Sequence, residues 1–166
     1  LVKITNLNSN NVFAESILKT VALQKSTRGN TSGGLEMMNN YLQAKNIPSC
    51  TMVDGSGLSV QNRMSPETMA TFLESIKTES FFTSFLHTLP LTCQSGSLIQ
   101  TGCKTSIEKK VFAKTGSMKK VRCLAGYYLS STNQLVSFCL MINNYTCSFQ
   151  QINQEIEKLL EAMVGE

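Results

Sequence analysis

Apolar residues recur at helical spacing through the first half of the chain, give way to strand-like runs after residue 110, and return to helical spacing at the end. Ser9-Asn10-Asn11 opens a segment in which Phe13, Ile17 and Val21 share one face, so the spacing predicts a helix beginning at this tripeptide. A second helix is predicted over residues 34–45, with Leu35, Met38 and Leu42 on one face and Pro48 just past its end. Thr51-Met52-Val53 reads as a short strand feeding a loop at 54–59. Ser65 followed by Pro66 and Glu67 is a strong helix start, and Met69, Leu73 and Ile76 continue its apolar face. Residues 81–87 supply a further helical turn or two.

After a loop rich in Ser, Gly and Thr, three strands are predicted at 110–117, 122–130 and 135–143. Their short connections imply an antiparallel meander, because parallel neighbours need a long crossover. The last strand is apolar on both faces, which predicts a central position or a cover of helices. Ser148 and Gln151 form a capping-box pattern ahead of a helix carrying Ile152, Ile156, Leu159 and Met163, expected to cover the sheet. The fold class expected is α+β, as a single domain over residues 1–166.

Composition narrows the functional classes. A chain of 166 residues buries roughly 70% of its unfolded surface, enough for a core of its own. No apolar run approaches the roughly 18 residues that would span a bilayer, so no transmembrane segment is expected. The net charge is +4, and the Lys and Arg are scattered apart from Lys109-Lys110 and Lys119-Lys120. No basic face with interleaved aromatics points to nucleic acid, and the lysine pairs read as solvated strand ends. Six cysteines include no Cys-x-x-Cys, and the single histidine, His87, lies six residues from the nearest one, so no metal site is expected. His87 has no Asp-Ser setting and reads as a packed histidine at a helix end, not a triad member.

Two tripeptides carry chemistry together: Ser9-Asn10-Asn11, a Ser-x-Asn, and Lys114-Thr115-Gly116. Between and after them stand Asp54-Gly55-Ser56-Gly57-Leu58-Ser59, then Asn62, Ser65-Pro66, Leu89-Pro90, Gly96-Ser97-Leu98 and Leu124-Ala125-Gly126-Tyr127. In this order and spacing the chain resembles the D-alanyl-D-alanine carboxypeptidase/endopeptidase family, the class C low-molecular-mass penicillin-binding proteins, along nearly its whole length. That resemblance implies the C-terminal part of a serine β-lactamase/transpeptidase-like fold. It also implies a third element, a Ser-x-x-Lys carrying the nucleophile, that lies upstream of Ser9 in a remaining N-terminal part of the same enzyme. Local matches at Ser16 to Lys19, Ser106 to Lys109 and Ser117 to Lys120 follow Ser-x-Asn, the wrong order, and read as chance.

Carried over residue by residue, the resemblance implies that Ser9 relays a proton toward the leaving D-alanine and that Asn11 hydrogen-bonds the substrate amide. Lys114 supplies positive potential, Thr115 helps bind the terminal carboxylate, and Gly116 leaves room for substrate backbone. The N–H of Ser117 contributes to an oxyanion hole. Leu58 and Met118 wall a pocket for a peptide side chain or, equally, pack in the core; Val60 stands where some relatives carry an Arg for diaminopimelate. The implied ligands are a peptidoglycan stem peptide or a β-lactam, with no cofactor, in a periplasmic or other extracytoplasmic location. Such a location permits disulfides, and Cys93 with Cys103 is the most plausible pair among the fifteen possible connectivities. The other thiols are expected to be mostly free, with Cys123 and Cys139 as small core residues. The function expected is a serine-type D-Ala-D-Ala carboxypeptidase or endopeptidase, inactive as this segment alone; the alternatives are a non-catalytic module that binds stem peptides or protein partners, and a β-lactamase.

Overall fold

The structure, a computed structural model, describes residues 1–25 and 27–165. Its first element is one the periodicity does not announce: Val2–Asn8 forms α1, a seven-residue helix too short to repeat an apolar face. Ser9 ends it in the left-handed conformation (φ 50°, ψ 47°), and Asn10 then caps α2, Asn11–Ala22, by accepting the Phe13 N–H at 3.0 Å. The helix start predicted at the tripeptide is therefore present, with Asn10 rather than Ser9 as the cap. Helix α3, Thr31–Ala44, begins three residues before the predicted start because Asn30 caps it, accepting from Gly33 N at 2.7 Å. α3 crosses α2 closely, since a Cβ on Gly34 would sit 2.3 Å from the Leu18 carbonyl oxygen.

Thr51 makes a single bridge to Arg63, not a strand. Ser65 caps α4, Pro66–Ser75, as its sequence dictates, accepting from Thr68 N at 3.0 Å, and α5, Phe82–Leu86, follows. The strands are β1 (Val111–Met118), β2 (Val121–Leu129) and β3 (Leu135–Asn143), an antiparallel sheet in the order β1-β2-β3. Helix α6, Phe149–Gly165, starts at the expected capping box: Gln151 N donates to Ser148 Oγ and Ser148 N to Gln151 Oε1.

Each face of the sheet is buried. Ile152, Ile156, Leu160 and Val164 of α6 pack on Val111, Ala113, Leu124 and Phe138. Leu160, fully buried, takes the place expected for Leu159, which is 44% exposed: one residue moves the stripe by 100°. The opposite face carries Tyr127 against Leu73, Phe72, Phe82 and Phe85, with the Tyr127 hydroxyl donating to Leu73 O at 2.7 Å. β3 is covered by helices as predicted, but it is an edge strand of this sheet, not a central one.

Cys93 and Cys103 form a disulfide, while Cys50, Cys123, Cys139 and Cys147 are free thiols. Cys123 and Cys139 are partly buried rather than core residues, and burial pushes the Cys139 thiol up to about 11, so it stays protonated at neutral pH. The disulfide closes the loop 93–103, which continues a strap over residues 88–98 that lies between α1 and β1. On one side Asn6 Nδ2 donates to Thr88 Oγ1 at 2.8 Å, and Gly96 (φ +57°) lies where a Cβ would meet the Leu7 carbonyl oxygen at 3.1 Å. On the other, Ala113 N donates to Pro90 O at 2.9 Å and Thr92 N to Val111 O at 3.1 Å.

Candidate active site

The strap fixes where α1 ends relative to β1, and the two tripeptides meet there. Lys114 Nζ donates to Ser9 Oγ and, at 2.9 Å, to the Thr115 carbonyl oxygen. The sheet register explains the direction of Lys114. It lies opposite Ala125, and Gly116 opposite Cys123, so both share the face of Tyr127, on the helical side where Ser9 lies. Thr115 and Ser117, opposite Leu124 and Arg122, share the face covered by α6.

Ser9 is exposed, and its hydroxyl takes no part in capping α2; its left-handed backbone, uncommon for a residue with a Cβ, aims it at Lys114. Asn11 occupies the first position of α2, exposed, and its side-chain amide makes no hydrogen bond among the described residues, leaving both its donor and its acceptor open to a ligand. Lys114 is half-buried. Desolvation, then the nearby Arg122 charge, hold its pKa below the usual lysine value. Gly116 has no structural need to be glycine, because a Cβ would touch only Cys123 Cβ at an ordinary 3.6 Å; the space beside it is unclaimed.

Two further groups complete the edge of β1, and sequence reasoning assigned a role to neither. Thr115 Oγ1 donates to Ser97 Oγ at 2.8 Å, a serine held in the strap. Arg122 donates from Nη1 to Ser117 Oγ at 2.6 Å and from Nε to Asn153 Oδ1 at 2.9 Å. Gly96-Ser97-Leu98 stands in the sequence as a recognisable motif, but only the folded strap brings its serine to Thr115. Arg122 is placed by register, which no local pattern reveals.

The Asp54 loop docks on α2. Glu15 Oε1 accepts from Gly55 N and Ser56 N, each at 2.9 Å. Asp54 binds Ser59 N at 2.7 Å, Gly57 N at 2.6 Å and Asn62 Nδ2 at 3.1 Å. Burial raises the Asp54 pKa, but these donors outweigh it and hold the carboxyl below its usual range. Leu58 on this loop is 55% exposed and Met118 at the end of β1 is 36% exposed, so neither is a core residue. His87 ends α5 as expected, yet it is exposed rather than packed. None of the local Ser-x-x-Lys matches sets its lysine against its serine: Ser16 Oγ is spent on Val12 O at 2.8 Å, and Ser117 Oγ is held by Arg122.

The sequence profile of the D-Ala-D-Ala carboxypeptidase 3 (S13) family matches residues 1–163. The chain belongs to that family. Among S13-like relatives, the D-alanyl-D-alanine carboxypeptidase DacB of Haemophilus influenzae is 32% identical over 151 residues, covering 88% of this chain and 32% of the relative. The penicillin-sensitive carboxypeptidase A of Dictyostelium discoideum is 28% identical over 170 residues, covering 96% of this chain and 33% of the relative. The chain thus spans about a third of the length of these curated relatives. The crystal structure of penicillin-binding protein 4 (dacB) from Haemophilus influenzae superposes with a TM-score of 0.89 at 27% identity, over 99% of this chain and 39% of that one. A class A β-lactamase structure from Bacteroides cellulosilyticus, at 18% identity and a TM-score of 0.71, shares the fold. The S13 family thus has the β-lactamase-like architecture that the motifs imply, here as helices, a three-stranded sheet and a covering helix.

Proposed function

We propose that this chain forms the Ser-x-Asn and Lys-Thr-Gly walls of a serine-type D-Ala-D-Ala carboxypeptidase or endopeptidase that acts on peptidoglycan stem peptides and is acylated by β-lactams. The observation that carries the reading is the contact of Lys114 Nζ with Ser9 Oγ beside the open amide of Asn11. The nucleophile in this reading is the Ser of a Ser-x-x-Lys outside these 166 residues, in a remaining part of the same polypeptide. The outer edge of β3, unpaired among the described residues and mostly apolar, supports a further segment adding to the sheet there.

The nucleophilic Oγ attacks the D-Ala-D-Ala carbonyl carbon, forming an ester as the C–N bond breaks. The Lys of that Ser-x-x-Lys takes the nucleophile's proton, while Ser9, its oxygen accepting from the Lys114 ammonium, passes its own hydroxyl proton to the leaving D-alanine nitrogen and regains one from the Ser-x-x-Lys lysine, so that Lys114 keeps its charge. Asn11 orients the acyl side of the substrate, the Ser117 N–H faces the oxyanion, and the Thr115 edge of β1 lies beside the terminal carboxylate. Leu58 and Met118, both exposed, are apolar surfaces available to the preceding side chain of the peptide. Water then hydrolyses the ester. The proposed chemistry goes with a location outside the cytoplasm, where peptidoglycan is.

The test is release of D-alanine from diacetyl-L-Lys-D-Ala-D-Ala by the polypeptide that carries this chain and its nucleophile segment. Release that falls roughly a hundredfold or more in Ser9→Ala, with unfolding temperature unchanged, supports the reading; no release by the wild type, or full release by Ser9→Ala, rejects it.

A further inference from the structure

Arg122, 9% exposed, is the one charged side chain in the buried set among the described residues, and it has no carboxylate partner there. Lys45–Glu79, Lys77–Glu74 and Lys158–Glu155, ion pairs among the described residues, all lie elsewhere. A buried cation is costly unless a counter-charge meets it. What meets this one is neutral: Ser117 Oγ at 2.6 Å, Asn153 Oδ1 at 2.9 Å, and the Phe149 ring with its centroid 5.3 Å away. Asn153 and Phe149 both belong to α6, so the guanidinium is clamped from behind while one of its nitrogens reaches the edge strand.

The direction of that last bond has a consequence for Ser117. Its oxygen accepts from Arg122, so its O–H proton is left to donate outward, and Ser117 is exposed. Thr115 by contrast spends its proton on Ser97. The edge of β1 therefore offers one free hydroxyl donor backed by an uncompensated positive charge, with the Lys114 ammonium on the other face of the same strand.

We propose that Arg122 is a positioning residue for substrate selection: it orients the Ser117 hydroxyl as donor to the C-terminal carboxylate of a D-alanyl peptide and supplies the charge that favours the free acid over neutral chain ends. The inference rests on the function proposed above. A charge-assisted hydrogen bond from a pre-oriented donor is lost when the ligand's carboxylate becomes an amide, so selectivity between acid and amide reports on Arg122 directly.

The experiment measures how diacetyl-L-Lys-D-Ala-D-Ala and its C-terminal amide protect the nucleophile-bearing polypeptide from acylation by fluorescent penicillin. Wild type should prefer the acid by tenfold or more. Arg122→Met should bring the ratio near one while the amide protects as before, and Arg122→Lys should restore part of the preference. If Arg122→Met fails to fold, Ser117→Ala, which leaves Arg122 held by Asn153 and Phe149, should abolish most of the preference. Equal weakening of acid and amide in Arg122→Met, or an unchanged ratio in Ser117→Ala, overturns the inference while the function stands. A wild type that penicillin does not label overturns the function itself.

Discussion

Lys114 on β1 donates its ammonium proton to the hydroxyl of Ser9, a residue 105 positions earlier in the chain. Neither side chain is held there by its own element alone. Ser9 depends on the left-handed end of α1, Lys114 on the register of β1 with β2, and the strap over residues 88–98 hydrogen-bonds to both.

The protonation of Lys114 sets a pH limit. Desolvation and the Arg122 charge both disfavour the ammonium, so it loses its proton at lower pH than the ordinary lysine value of about 10.4. The alkaline limb of kcat/KM should fall below that value, because the positive potential at Ser9 goes with the proton. Arg122→Met removes one of the two causes, and the limb should move upward. A limb that stays in place on this substitution would show that Lys114 does not govern it.

Two glycines near the site separate function from folding. Gly116→Ala should leave the unfolding temperature within a degree or two of wild type, since the new methyl meets only Cys123 Cβ at 3.6 Å, yet it should weaken substrate binding by filling the open side of β1. Gly126→Ala should fold poorly or not at all, because its Cβ would lie 2.0 Å from the Phe112 carbonyl oxygen. Thermal unfolding beside penicillin acylation rates checks both.

Reduction of the Cys93–Cys103 disulfide, or its replacement by two serines, should cost about 2–4 kcal/mol of stability. The bridge closes a loop that contains Ser97, so its loss should also raise KM for acid substrates more than it lowers kcat. Chemical denaturation with and without reductant, run alongside steady-state kinetics, gives both numbers. A KM unchanged on reduction would mean that the strap holds Ser97 without the bridge.

Much of this arrangement is legible in the chain because local chemistry states it. Ser65-Pro66, Ser148 with Gln151, and the three apolar strand runs each specify their element, and the structure has α4, α6 and the sheet where they predict. The two tripeptides point to the candidate site because each is short, local and tied to the same family text, and the structure brings Ser9 and Lys114 together. What the chain does not state depends on distance. α1 is too short for a periodic face, and the exchange of Leu159 for Leu160 depends on the angle at which α6 meets the sheet. β3 reads from its composition as central or helix-covered, and it is helix-covered; hydrophobic pattern alone cannot separate the two. Ser97 and Arg122 enter the site only through the strap and the register.

The most direct measurement is to label the polypeptide carrying this chain with benzylpenicillin, digest it, and locate the adduct by mass spectrometry. The account predicts a single acylated serine, in a Ser-x-x-Lys outside residues 1–166, formed more slowly when Lys114 is replaced by Ala. An adduct on Ser16, Ser106, Ser117 or any other serine of these residues would contradict it, and so would labelling at full rate in the Lys114→Ala protein.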